Sequence, residues 1–120
     1  MKLLDAGADA IWVSNHTGRQ FEAAPASIEQ LPKIKDAVGD AVPLIVDSGV
    51  SSGLDLMRCL ALGADFVFLG KAFHYAVAAF TDTGVDHLVH LLQADLIANM
   101  SQTGAQTYAE LPAKLYPVSH

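Results

Sequence analysis

The feature that most constrains this chain is an order repeated three times: a short apolar run, a cluster of small polar and glycine residues, then a stretch with helical spacing. The runs occupy residues 10–13 (AIWV), 42–46 (VPLIV) and 66–69 (FVFL). None alternates polar with apolar, which is the pattern of strands buried on both faces, as in parallel sheets covered by helices. Glycine-containing triplets strengthen the repeat, since Gly7-Ala8-Asp9 precedes the first run and Gly63-Ala64-Asp65 the third. Each glycine is placed to end a helix just before the chain turns into a strand. Alternating β and α with parallel strands implies right-handed crossovers, which a flavodoxin-like sheet and a barrel segment both satisfy.

The helical segments read as follows. Ser27 with Gln30 resembles a capping box, and Ile28, Leu31, Ile34 and Val38 fall at helical spacing. Pro32 fits best if the regular helix starts at the proline. A second helix is expected over residues 52–62, with Asp55 in its first turn and Gly63 ending it. Two more are expected near 72–80 and over 85–101. The latter puts Val85, Leu88, Val89, Leu92, Leu96, Ile97 and Met100 on one stripe, followed by Gly104. Residues 2–6 read as the last turn of a helix, and residues 105–120, with Pro112 and Pro117, as an irregular C-terminal extension.

Length and composition bound the rest. At 120 residues the chain is one folding unit at most, with roughly 6,000 Å² exposed when compact against roughly 18,000 Å² unfolded. Hydrophobic residues make up 52% and charged residues 17%, an apolar excess that suggests a subunit or segment burying surface against a partner. Three strands cannot close a barrel, and one helix layer leaves a sheet face bare. The formal charge of −6 without a basic run argues against nucleic acid. The single Cys59 fits a reducing compartment, and no apolar stretch approaches a membrane span, so a cytoplasmic location is expected. His87 and His90 could meet a metal at i, i+3, but no carboxylate or cysteine cluster completes such a site, and no metal is expected. Trp12, Met57 and Cys59 read as core.

The chemistry concentrates after the strands. The first is followed by Ser14-Asn15-His16-Thr17-Gly18-Arg19-Gln20, the second by Asp47-Ser48-Gly49, the third by Gly70-Lys71. In α/β sheets and barrels this edge binds ligands. Gly49 and Gly70 would let backbone N–H groups approach an anion, with the following helices aimed at it and Lys71 and the hydroxyls of Ser48, Ser51 and Ser52 adding donors. His16 can take a proton near neutral pH, and the planar fork of Arg19 suits a carboxylate. A solvated loop explains a lone His-x-x-Arg equally well on spacing alone.

The segments SNHTGRQ, AAPASIEQLPKI and PLIVDSGVSSGLDLMRCLALGADFVFLGKAF resemble the C-terminal part of the FMN-dependent 2-hydroxy-acid dehydrogenases and oxidases, the family of flavin L-lactate dehydrogenase, glycolate oxidase and lactate oxidase. The later DSG and LALGAD pattern is shared with other FMN barrels, such as isopentenyl diphosphate isomerase relatives, but the His16–Arg19 loop is not. The resemblance implies an α/β fold: a partial TIM (β/α)8 barrel, residues 1–120 being its last three βα units with parallel strands. It implies FMN as cofactor and a small L-2-hydroxy acid as substrate. His16 matches the active-site base, Arg19 the substrate-carboxylate arginine, Asp47 and Gly49 positions along the FMN ribityl and phosphate, and Gly70 another phosphate contact. Lys71 stands where the family usually has arginine. Thr17 and Ser48 replace glycines, and Ser51 replaces a phosphate-site arginine, departures that imply a weaker hold on FMN. With five strands of the family barrel absent, the chain alone is expected to be inactive. The alternative is a non-catalytic partial barrel that self-associates through exposed strand edges and keeps a vestigial phosphate site.

Overall fold

A computed structural model describes residues 2–116 of the chain. Its elements run α1 (Lys2–Asp5), β1 (Ile11–Val13), α2 (Ser27–Val38), β2 (Leu44–Val46), α3 (Gly53–Ala61), β3 (Phe66–Val67), α4 (Lys71–Phe80) and α5 (Gly84–Thr103), with 3-10 turns at His16–Gly18, Thr81–Thr83 and Tyr108–Lys114. The strands form one parallel sheet in the order β1-β2-β3, with Trp12 opposite Ile45 and Ile45 opposite Phe66. The βαβαβα order expected from the sequence is the observed one.

The repeated Gly-Ala-Asp triplets set the strand entries. Gly7 and Gly63 take φ of 83° and 100°, conformations that only glycine adopts cheaply. In the second triplet, Asp65 grips the start of β2 twice: its backbone N–H donates to the Leu44 carbonyl at 2.8 Å, and its Oδ2 accepts from the Leu44 N–H at 2.8 Å. A carboxylate on a backbone donor at the sheet edge fixes register as well as direction.

Two clusters make the core. Val13, Leu31, Val38, Leu44, Val46, Cys59 and Ala64 fill the space between the sheet and α2 and α3. Ala61, Leu96, Met100, Ala105 and Leu111 join α3, α5 and the C-terminal 3-10 turn. The helices cross closely where a side chain is missing. A Cβ on Gly53 would strike the backbone of Asp95 and Leu96, and one on Gly84 the backbone of Ala76.

Several local expectations are corrected. The residue preceding α2 is Ala26, and Ser27 lies inside the first turn, 3% exposed and with its hydroxyl unbonded, so no capping box forms. The helix begins there and runs through Pro32 rather than starting at it; the proline has no N–H to offer, and the loss of one intrahelical bond is tolerated with Leu31 fully buried beside it. Residues 105–120 are not wholly irregular, because Tyr108–Lys114 forms a 3-10 turn that buries Leu111; the last residues of that stretch, 117–120, lie outside the described ones. On α5, Leu92, Leu96 and Met100 are buried, but Ile97 is 64% exposed. Trp12 is not core either, at 57% exposure. It sits mid-strand with its side chain opposite the helix layer, its ring 4.9 Å from that of Phe68, which lies 5.1 Å from Phe66. Among the described residues no element covers these three rings. Met57 packs against the second cluster and Cys59 is 1% exposed, as expected of core positions.

The bare face shows in the dimensions. The accessible surface is 8197 Å², about a third above the roughly 6,200 Å² of a compact monomer of this mass. The radius of gyration of 15.5 Å likewise exceeds the roughly 13.6 Å of a compact chain of this length.

Candidate functional site

The C-terminal ends of the three strands open into one depression of about 1200 Å³. All six residues singled out from the sequence line it: His16 and Arg19 after β1, Asp47 and Gly49 after β2, Gly70 and Lys71 after β3. Parallel strands ending on one edge bring together residues as much as 55 positions apart in sequence, which no single segment could do.

The loop after β1 is held in an unusual conformation. His16 and Thr17 have φ of 53° and 61°, in the left-handed region. For a β-branched threonine this is a true outlier, costing on the order of 1–3 kcal/mol. Local bonds hold it: the His16 N–H donates to Ser14 Oγ at 3.1 Å, the Gly18 N–H to the Asn15 carbonyl at 3.0 Å, and Asn15 Nδ2 to the Pro25 carbonyl at 3.1 Å. Asn15 Oδ1 and Ser27 Oγ are buried without a hydrogen-bond partner in the protein, and both residues line the depression. An unpaired buried oxygen is costly, and these two lie in the packed layer behind the depression.

After β2, Ser48 and Gly49 take φ of 75° and 83°, turning the chain sharply. Ser48 Oγ donates to Asp47 Oδ1 at 2.8 Å and accepts the Thr17 N–H at 3.2 Å, so the first two loops are tied to each other. The other hydroxyls of this turn are also committed. Ser52 Oγ accepts the Asp55 N–H at 3.1 Å, and Asp55 Oδ2 accepts from Ser51 Oγ at 3.4 Å and from the Ser51 N–H at 3.1 Å. Burial works to raise the Asp55 carboxyl, but its hydrogen bonds with Ser52 and Ser51 and the nearby Arg58 outweigh this and hold it below the usual carboxylate range.

The two helix N-termini at this edge differ, which corrects the expectation that both point at one anion. At α3 the Gly53 N–H donates to Asp95 Oδ2 at 2.6 Å and the Leu54 N–H to the same oxygen at 3.2 Å. A carboxylate from α5 already satisfies the positive end of α3. At α4 the residue preceding the helix is Gly70, and no side chain caps it. Gly70 is also the one glycine of nine whose identity the fold does not explain: its φ is −105°, and an added Cβ would meet no atom within 4 Å. Its neighbours on the wall are Lys71 and, one turn on, His74. His74 was not singled out from the sequence, although its i, i+3 spacing from Lys71 in the first turn after a strand was a usable signal.

Comparisons with known proteins agree with this geometry. Residues 1–117 match the family model described as FMN-dependent dehydrogenase. Over 105 residues the chain is 46% identical to an L-lactate dehydrogenase of Chromohalobacter salexigens, covering 88% of this chain and 27% of that protein. It is 48% identical over 107 residues to one of Xanthomonas euvesicatoria, covering 89% and 28%. A lactate oxidase of Pediococcus acidilactici superposes with a TM-score of 0.90 at 38% identity, over 98% of this chain and 33% of that one. A mandelate oxidase superposes with a TM-score of 0.87 at 37% identity, over 92% and 34%. The chain therefore spans between a quarter and a third of the length of the curated relatives, and its α/β sheet is a segment of the kind of barrel they form. With the match running over nearly every residue described above, the chain belongs to the FMN-dependent dehydrogenase family.

Proposed function

We propose that this chain carries the phosphate-gripping and substrate-facing part of an FMN-dependent enzyme that oxidises a small L-2-hydroxy acid, of the lactate or glycolate type, to the 2-oxo acid. The observation that carries the reading is the depression at the strand ends, which His16, Arg19, Asp47, Gly49, Gly70 and Lys71 line together. The residues fit a flavin nucleotide at its phosphate end. The uncapped N-terminus of α4, the unexplained glycine at 70 and the adjacent Lys71 form a cradle for an anion. A depression of about 1200 Å³ is also somewhat larger than a typical drug-sized pocket.

In this reading the Gly49 and Gly70 backbone and the Lys71 ammonium hold the phosphate, and Asp47 accepts a hydrogen bond from a ribityl hydroxyl. Arg19 clamps the substrate carboxylate through two parallel bonds. His16 accepts the proton of the substrate hydroxyl. Bound FMN would supply the two-electron acceptor for the substrate carbon. Lysine offers a point charge where arginine would offer a fork, so the phosphate grip is weaker than a bidentate one.

The 120 residues by themselves form an open three-stranded sheet, and we expect them to turn over no 2-hydroxy acid alone. A second reading, favoured by the uncovered Trp12, Phe66 and Phe68 rings, is a non-catalytic partial barrel that self-associates and retains the phosphate cradle. Titrating the purified chain with FMN while following flavin fluorescence, with sedimentation velocity on the same sample, separates the two. Saturable quenching supports the flavin reading. A folded, self-associated chain that leaves flavin fluorescence unchanged favours the second.

A further inference from the structure

Among the described residues four non-glycine residues have left-handed backbone, and two of them, Thr17 and Ser48, share a hydrogen bond across two loops, with a third, His16, next to Thr17 in the chain. Among the described residues, the Thr17 N–H to Ser48 Oγ bond is the one side-chain hydrogen bond that joins the segment carrying His16 and Arg19 to the turn carrying Asp47 and Gly49. The same hydroxyl donates to Asp47 Oδ1 at 2.8 Å, which orients its lone pairs toward Thr17. Left-handed backbone at three non-glycine positions persists only where surrounding bonds hold it, and such strain concentrates at functional sites. Glycine would relieve the φ of 75° at position 48 but would bring no hydroxyl.

We infer that Ser48 is a positioning residue: its hydroxyl latches the His16–Arg19 loop to the Asp47 turn and so holds the proton acceptor and the carboxylate clamp in register with the cofactor side of the depression. Its consequence for catalysis rests on the flavin reading above, while the latch itself does not. Thr17 is exposed and Ser48 half-buried, and neither belongs to a core cluster, so the latch opens by breaking one bond without disturbing the core.

The test compares the parent chain with Ser48→Gly and Ser48→Asn by limited trypsin digestion, with cleavage after Arg19 timed by mass spectrometry against cleavage after Arg58 and Lys71. Asparagine tolerates left-handed backbone and can both accept from Thr17 and donate to Asp47, so it is the rescuing variant. Ser48→Gly should speed cleavage after Arg19 roughly five- to tenfold, the factor carried by one neutral hydrogen bond, and leave the other two sites and the thermal midpoint near parental values. Ser48→Asn should cleave at close to the parental rate. Unchanged Arg19 cleavage in Ser48→Gly overturns the latch, as does equal acceleration at all three sites or an Asn variant as fast as the Gly one. FMN titration of the same three samples is read separately. A parent chain that ignores FMN removes the flavin reading and leaves the protease comparison to decide the latch.

Discussion

Asp95 gives the sharpest test of how this segment is held together, because one carboxylate on α5 caps a helix that begins 42 residues earlier. In Asp95→Ala, the buried Gly53 N–H loses a 2.6 Å bond to a carboxylate, a loss of about 2 kcal/mol for a charge-assisted bond to a buried donor. The Leu54 bond is longer, at 3.2 Å, and its donor is only half-buried, so water recovers most of it and its loss costs about 0.5 kcal/mol. Removing a negative charge from the α3 N-terminus costs about 0.5 kcal/mol more. The total is about 3 kcal/mol, and with a urea m-value of about 1.5 kcal/mol/M the midpoint falls by roughly 2 M. Asp95→Asn keeps an acceptor and loses the charge, so its loss is about 1 kcal/mol. Urea unfolding followed by circular dichroism, with m unchanged across the series, reads all three proteins. An alanine variant whose midpoint lies within about 0.3 M of the parent would show that the cap carries no stability and that α3 is held by packing alone.

Other outcomes follow from the same contacts. Gly70→Ala should leave the thermal midpoint almost unchanged, since the added methyl meets no protein atom, yet weaken FMN binding at least about tenfold by filling the cradle; equal FMN affinity in titration would remove the phosphate from α4. Gly53→Ala drives a methyl into the α5 backbone and should lower the melting temperature by roughly 8–12 °C, for a loss of about 2–3 kcal/mol. Trp12→Ala should cost only about 1 kcal/mol in urea unfolding, the value of its ring contact with Phe68, against the 3–5 kcal/mol of a buried tryptophan. Burial, with Asp55 adding to it, pushes the Cys59 thiol from 9.0 up to about 11. The unfolded thiol therefore ionises first, and the stability from keeping it neutral is complete below pH 9 and lost as pH rises toward 11. At pH 8 the thiol should react with a disulfide reagent only on unfolding, and prompt reaction of the folded chain would contradict its burial.

The parallel order was legible because it is written in local signals: three non-alternating apolar runs, Gly7 and Gly63 before strands, Ser52 and Asp55 at a helix start. The site was legible for the same reason, since the polar clusters after each run had to land on one edge once the strands were parallel. What sequence reading missed lies across space. Nothing local marks Asp95 as the cap of α3, and the reading of that helix end as part of an anion site failed for that reason. Ser48 reads as a turn residue until the structure sets it opposite the Thr17 N–H. Trp12 misled because an apolar run looks the same whether one face of the sheet is covered or both. Ser27 misled through a capping-box spacing shifted by one residue, its hydroxyl buried instead of capping.

The most direct measurement is amide chemical-shift mapping by NMR as FMN is added to the labelled chain. Gly49, Gly70, Lys71 and Ala72 should move together and saturate, with Gly53 and Leu54, already bonded to Asp95, left in place. A folded chain whose shifts stay still, or move at Gly53 and Leu54 instead of Gly70 and Lys71, would contradict the flavin reading.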